Sequence, residues 1–244
     1  NTKVINAFPG YEYVYSNEDK QWHNMFMGTD LGRGGYVAAT PGMYFDVALL
    51  DIQSLHPNSA VDMNSFGEFT KNFKDLLTAR VLIKHKNYDD AKKLFNGRLT
   101  KYLNDPALAK ALAQALKIAI NSVYGLTSAA FNNPFRDKRN VNNIIALRGS
   151  LFMRTLQDEV EKRGFIAAHI KTDSIKIPNA TPEIIKFCMD FAAKYGYIFE
   201  HEATYDRMCL VNNAVYIAKY KDKKKKKKMY GYCPEKNEDH SGAW

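Results

Sequence analysis

Two aspartates, Asp51 in "VALLDIQ" and Asp173 in "HIKTDSIKIP", each stand at the end of a short run of β-branched and apolar residues. An ionised carboxylate beside a core is costly unless it is paired or bound to metal, and two brought together repel. A shared divalent cation is one explanation for such placement, and a turn-capping role, which aspartate takes readily, is the other. A second set is cationic. Lys117, Asn121 and Tyr124 recur at i, i+4 and i+7, and Arg80 and Lys84 at i and i+4, so each set falls on one face of a helix. Two cationic stripes turned toward one cleft, near carboxylates that hold metal, would suit a triphosphate: positive charge for the phosphates, and Mg²⁺ bridging phosphate to protein. Two solvated helix faces would give the same spacing.

Several elements must position these groups. "GGYVAATPGMYFDVALLDIQ" reads as a strand pair whose second member runs from about Tyr44 to Leu50 and delivers Asp51. A helical pattern covers about Glu68 to Lys86, with Phe73, Leu76, Leu77, Val81 and Ile83 as its apolar positions. A second helix starts at Asp105-Pro106, an N-cap followed by proline at the first helical position, and runs to a stop at Gly125. The two suggest an antiparallel helical hairpin. A third helix, about Asn142 to Lys162, carries Ile144, Ile145, Leu147, Leu151, Phe152, Leu156 and Val160, and ends before Gly164. A hairpin with Lys171, Thr172 and Asp173 at its turn follows. Thr181-Pro182 then opens a helix to about Tyr195, and extended segments lie near Tyr197 to Thr204 and Met208 to Tyr220. The order predicts an α+β fold, with helices on a mostly antiparallel sheet and a helical hairpin inserted after the first acid-bearing strand.

The bulk numbers permit this. A chain of 244 residues with 45% hydrophobic content can bury a sizeable core. It contains no run of eighteen apolar residues and no basic-then-apolar leader, so neither a membrane span nor export is indicated and a cytoplasmic location is expected. Cys188, Cys209 and Cys233 are odd in number and far apart, as isolated reduced thiols would be. The formal charge of +9 is concentrated in one tract, Lys223 to Lys228, which reads as a solvated, self-repelling loop or as a contact to DNA.

The same residues carry a resemblance. "DIQSLHPNS", Asp51 to Ser59, is similar to the first polymerase motif of family B DNA polymerases, DxxSLYPS. "KIAINSVYG", Lys117 to Gly125, matches the second, KxxxNSxYG, at every fixed position, and "IKTDS", Ile170 to Ser174, resembles the third, YxDTDS, in the family's order. The Gly34-Gly35 pair resembles the family's approach to the first motif. The resemblance implies a palm bearing the metals and a helical-hairpin fingers subdomain inserted between the first and second motifs. It divides the chain into an N-terminal palm segment (1–64), fingers (65–125), palm with the third motif (126–220) and a lysine-rich C-terminal segment (221–244). By the resemblance Asp51 and Asp173 would ligate two Mg²⁺ ions, with the backbone carbonyl of Ile52 completing one site. Backbone amides near Ser54 and Leu55 would meet the triphosphate, and Arg80, Lys84 and Lys117 would hold its phosphates. Asn121 and Tyr124 would help form the pocket for the nascent base pair, and Lys117 would either protonate the leaving pyrophosphate or act by charge alone. The implied partners are dNTPs and primer-template DNA, and the implied setting is phage replication in the host cytoplasm.

The sequence departs from the family pattern in places. His56 stands where the family has the tyrosine that excludes a 2′-hydroxyl, so a weaker exclusion of ribonucleotides is expected. His169 and Lys171 replace the tyrosine and first aspartate of the third motif. Residues 171 and 173, two apart on a strand, should point the same way, with Lys171 reaching a DNA phosphate. "NNAVYIAKY" keeps the tyrosine of a primer-gripping motif as Tyr216 but has Asn213 and Ala214 for its basic residues, leaving Lys219 and its neighbours to compensate. Neither an exonuclease nor a thumb is evident, and a fragment is the favoured explanation over a pared-down core. A non-catalytic nucleic-acid-binding remnant and an untemplated palm-type nucleotidyl transferase are the competing functions; Asn121 and Tyr124 argue against the latter.

Overall fold

The computed structural model describes residues 7–135 and 143–222, together with the backbone of strands at 228–233 and 238–240. The lysine tract lies outside these residues except for the backbone of Lys228. The chain forms two units, one built on His56–Ile145 and the other on Ile5–Leu55 with Ala146–Trp244.

The second unit holds both sheets. A small antiparallel sheet joins β1 (Glu12–Ser16), β2 (Gln21–Phe26) and β3 (Thr29–Asp30). Of the large sheet, β4 (Val37–Ala39), β5 (Gly42–Ile52), β6 (His169–Lys171), β7 (Ser174–Pro178), β8 (Phe199–Leu210) and β9 (Tyr216–Tyr220) form the main body. With β10 (Lys228–Cys233) and β11 (Glu238–His240) it runs in the order β11-β10-β9-β8-β5-β7-β6-β4, antiparallel at each pairing. The two extended segments expected from the sequence are thus one twelve-residue strand, β8, a turn, and β9. That turn is built by Asn212, whose side-chain oxygen accepts from the amides of Ala214 and Val215.

Alternation along the central strands sorts their side chains. Leu50, Ile52, Ile170, Ile175 and Ile177 are fully buried. The helical layer packs on that side: helix Ile144–Lys162 sends Phe152 against Phe199, which pairs with Ile52, and against the rings of Phe191, Tyr195 and Tyr197. All seven apolar positions expected for this helix are buried. Helix Pro182–Lys194 begins as its Thr-Pro signal predicts, with the Thr181 hydroxyl accepting from the Ile184 amide. Asp51, Ser174, Lys176, Leu49 and His169, cross-strand partners of one another, share the opposite face.

The first unit is helical. Its long members are α2 (Thr70–Lys84) and α5 (Pro106–Ser128), preceded by α1 (Leu55–Asp62) and separated by α3 (Tyr88–Lys93) and α4 (Thr100–Leu103). Phe73, Leu77, Ala79 and Ile83 of α2 bury against Ala109, Leu116 and Ile120 of α5, with Ala91 and Leu103 from the short helices completing this core. Asp105 caps α5 through the amides of Ala107 and Leu108, at 2.6 and 3.1 Å. Gly125 does not stop the helix: it lies within α5, which continues to Ser128 as Thr127 and Ser128 donate their hydroxyls to the carbonyls of Tyr124 and Gly125. Among the described residues no helix is long and apolar enough to cross a membrane.

Candidate active site

Strand β5 carries Asp51 to its end, and the β6–β7 hairpin brings Asp173 to it. Asp51 pairs with Ser174, the residue after Asp173, and the Ile52 amide donates to the Asp173 carbonyl at 2.8 Å. The turn is tight. Thr172 lies at φ +57, a conformation that costs a β-branched residue about 1–3 kcal/mol, and its amide is held by the Tyr36 carbonyl at 2.9 Å. Gly35 makes room for this turn, since a Cβ there would meet the Thr172 hydroxyl oxygen at 2.3 Å. Because Asp173 belongs to the turn and Lys171 to the strand, the expected parity of 171 and 173 does not apply. Both nevertheless line one cavity of about 310 Å³, with Leu49, Asp51, Thr172, Ser174, Lys176, Glu202 and Tyr216.

This cavity is short of positive charge for its acids. Burial pushes the Asp51 carboxyl up to about 7, helped by Asp173, Glu202 and Glu200 and opposed by Lys176. Asp173 is also raised, chiefly by burial and further by Glu202, against its own backbone amide and Lys176. Two half-buried carboxylates that resist ionisation together would be relieved by a cation between them. No group of three or more His, Cys, Asp or Glu able to hold a metal is gathered among the described residues. Mg²⁺ does not require one, since it is commonly held by one or two carboxylates and fills its remaining positions from phosphate and water. Asp51 and Asp173 therefore fit Mg²⁺ in number and chemistry.

Three charged residues here escaped the sequence reading. Glu200 pairs with Asp51 across the sheet and accepts from the Gln53 side chain. Glu202 enters through a register shift: Leu49 pairs with Ala203 but Leu50 with His201, leaving Glu202 as the extra residue of a bulge. Lys176 is only 3% exposed, beneath the cleft. The alternation "SIKIP" was the available signal, since it places Lys176 on the face of Ser174 and opposite to Ile175 and Ile177.

At the β5 exit Ser54 takes φ +53, and Leu55, 3% exposed, opens α1, so the Ser54 and Leu55 amides lie at a helix N-terminus. Tyr216 is buried and lines the acid cavity, with its ring beneath the Lys176 ammonium at 5.0 Å and edge-on to His169 at 5.6 Å. Lys219 is exposed, with Nζ 3.9 Å from Asp206, and alternation along β9 turns it to the other face from Tyr216.

In the helical unit Arg80, Lys84 and Lys117 line one cavity of about 680 Å³ with Lys86, Lys110, Gln114 and Tyr88. Five cations border it, two more than the motif spacing indicated. Asn121 is exposed and is not part of its lining. Tyr124 instead stacks on His56, ring centroids 4.9 Å apart and planes at 13°, and donates its hydroxyl to the Asn143 side chain at 3.1 Å. Burial lowers the His56 pKa, so the ring is neutral, and raises that of Tyr124.

No family model matches the chain, and no curated protein does. Among solved structures, a family B DNA polymerase from the hyperthermophilic archaeon Pyrobaculum calidifontis matches over 85% of this chain with a TM-score of 0.53 at 14% sequence identity. The chain spans 30% of that polymerase's length. At this identity the likeness is one of fold: the chain has the fold of part of a family B DNA polymerase.

Proposed function

We propose that this chain is the palm and fingers region of a template-directed DNA polymerase of family B type, serving phage DNA replication. The observation that carries the reading is the convergence of Asp51 and Asp173 on one cavity, from motifs whose order and spacing resemble those of that family. The neighbour of like fold supports it, as does the cavity where Arg80, Lys84 and Lys117 meet.

In this reading the primer 3′-hydroxyl attacks the α-phosphate of a dNTP, a new P–O bond forms, the bond to the β-phosphate bridge breaks, and pyrophosphate leaves as the hydroxyl proton passes to solvent. Two Mg²⁺ ions, when bound, supply Lewis acidity to the hydroxyl and charge to the leaving group. Asp51 and Asp173 would hold them, with the Ile52 carbonyl as a further oxygen. Arg80, Lys84 and Lys117 take the β- and γ-phosphates, a purely electrostatic task. The His56–Tyr124 stack forms a flat wall for the sugar and base, and Asn121 lies one turn before Tyr124 on α5. Lys171 and Tyr216 engage the primer-template, with Lys219 contributing charge from the other face of β9.

A second reading, a nucleic-acid-binding remnant without catalysis, draws on the two lysines that line the acid cavity, Lys171 and Lys176. Primer extension separates the two. Incorporation that follows the template base, lost in Asp51→Asn and Asp173→Asn, is the expected result. DNA binding with no extension in any divalent metal would favour the remnant, and extension without regard to template would overturn templated synthesis.

A further inference from the structure

Lys176 has no part in the chemistry proposed above, yet it is the most enclosed cation in the acid cavity. It sits mid-strand on β7, opposite Leu49 on one side and His169 on the other, on the face that carries Asp51 and Ser174. Its ammonium lies 3.5 Å from the Ser174 hydroxyl and 5.0 Å from the Tyr216 ring centroid, and the residue is 3% exposed. A lysine is rarely buried to this degree unless its charge is answered. The groups lining the same cavity are Asp51, Asp173 and Glu202, with Lys171 at the mouth. Lys171 can move its charge into solvent, whereas Lys176, with its stem enclosed by the sheet, cannot.

We propose that Lys176 is the resident counter-cation of the Asp51–Asp173 cavity, neutralising the acid pair before a divalent ion arrives and thereby setting how tightly that ion binds. The inference rests on the reading of this cavity as a metal site. A fixed ammonium beside two carboxylates lowers the repulsion that would otherwise strain the metal-free fold, and the same charge opposes an incoming dication. Aromatic and hydroxyl partners hold the ammonium at the cavity wall, so an ion bound at the carboxylates need not displace the side chain. The design trades metal affinity for a cavity that stays folded when empty of ions.

The test is Mn²⁺ binding to the full chain, followed by the loss of the free-ion paramagnetic resonance signal, with thermal melting in chelator alongside. Lys176→Met should bind Mn²⁺ on the order of tenfold more tightly than the native chain and melt at a lower temperature in chelator, with Mn²⁺ restoring the difference. Lys171→Met, which removes an exposed charge, should change the affinity less. Lys176→Gln provides the same measurement should the methionine variant fail to fold. Native Mn²⁺ binding that is lost in Asp173→Asn but unchanged or weakened in the Lys176 variants would overturn the counter-cation role and leave the metal site standing. Absence of any Asp173-dependent binding would overturn the metal site, and the role of Lys176 with it.

Discussion

The amide of Ile52 donates to the carbonyl of Asp173 at 2.8 Å, and this bond ties the end of β5 to the turn of the β6–β7 hairpin. It sets the separation of Asp51 and Asp173 through rigid backbone on both sides, as a pair of metal ligands requires. Loss of either carboxylate should therefore remove function without removing structure. Asp51→Asn and Asp173→Asn are expected to melt at or above the native temperature in chelator, because each relieves like-charge repulsion and burial of charge, while extension falls by roughly three orders of magnitude or more. Melting curves and single-turnover extension check both halves.

Gly35 and Thr172 should couple strongly. A methyl group at Gly35 would collide with the Thr172 side chain, so Gly35→Ala is expected to cost about 1–3 kcal/mol by denaturant unfolding. Thr172→Gly removes the obstructing side chain and suits φ +57, and the double variant should recover most of the loss. Simple additivity in the cycle would contradict the contact.

How much of this was legible beforehand depends on the range of the signal. The helix Ile144–Lys162 was readable because its buried positions recur at helical period over five turns, and Thr181 and Asp105 announced their helices through caps that act locally. Asp51 and Asp173 stood out as acids at strand ends. The bulge that places Glu202 was not readable, since a register shift arises from pairing with β5 and leaves no local mark in "FEHEATY". Gly125 misled because a glycine signals a helix stop only when the chain beyond it turns away, and here α5 runs another turn. The aromatic hairpin β1–β2, with Tyr13 stacked on Trp22 at 4.8 Å, is not legible in the sequence pattern, nor are α1 and the short helices between α2 and α5, whose few residues carry little periodicity.

If the cavity lined by Arg80, Lys84 and Lys117 takes the triphosphate as proposed, kinetic constants should separate. Lys84→Ala and Lys117→Ala should each raise KM for dNTP by about tenfold or more, in line with roughly 1.5–3 kcal/mol for a charge-assisted contact, while leaving primer-template affinity unchanged. Lys86→Ala, just past the C-terminal end of α2, and Lys110→Ala, about two turns before Lys117 on α5, should have smaller effects. Nucleotide titrations under steady state and DNA binding by anisotropy decide the matter.

The core of the sheet unit rests on Phe152, fully buried among four rings. Phe152→Ala is expected to cost about 3–5 kcal/mol, whereas Phe152→Leu, which fills most of the space, should cost less than half as much. Equilibrium unfolding monitored by circular dichroism would show it.

The raised acid in the cleft fixes a pH dependence. Asp51 titrates near 7 when folded and near its ordinary 3.8 when unfolded, so the folded state binds the extra proton between these values. Stability in chelator should accordingly fall as pH rises from about 4 to about 7 on this group's account, and the slope should become shallower in Asp51→Asn, the raised Asp173 accounting for part of what remains. Saturating Mg²⁺ should flatten the same slope, because the ionised form then has its cation. Melting temperature against pH, with and without metal, gives the comparison.

In the proposed function Asp51 and Asp173 together hold the ions for templated nucleotidyl transfer. The most direct measurement is a crystal structure with primer-template, an unreactive dNTP analogue and Mn²⁺, read by anomalous scattering. Two peaks lying between the Asp51 and Asp173 carboxylates, each also touching the triphosphate, are predicted. Nucleotide bound with no peak at these carboxylates, or with ions held elsewhere, would contradict it.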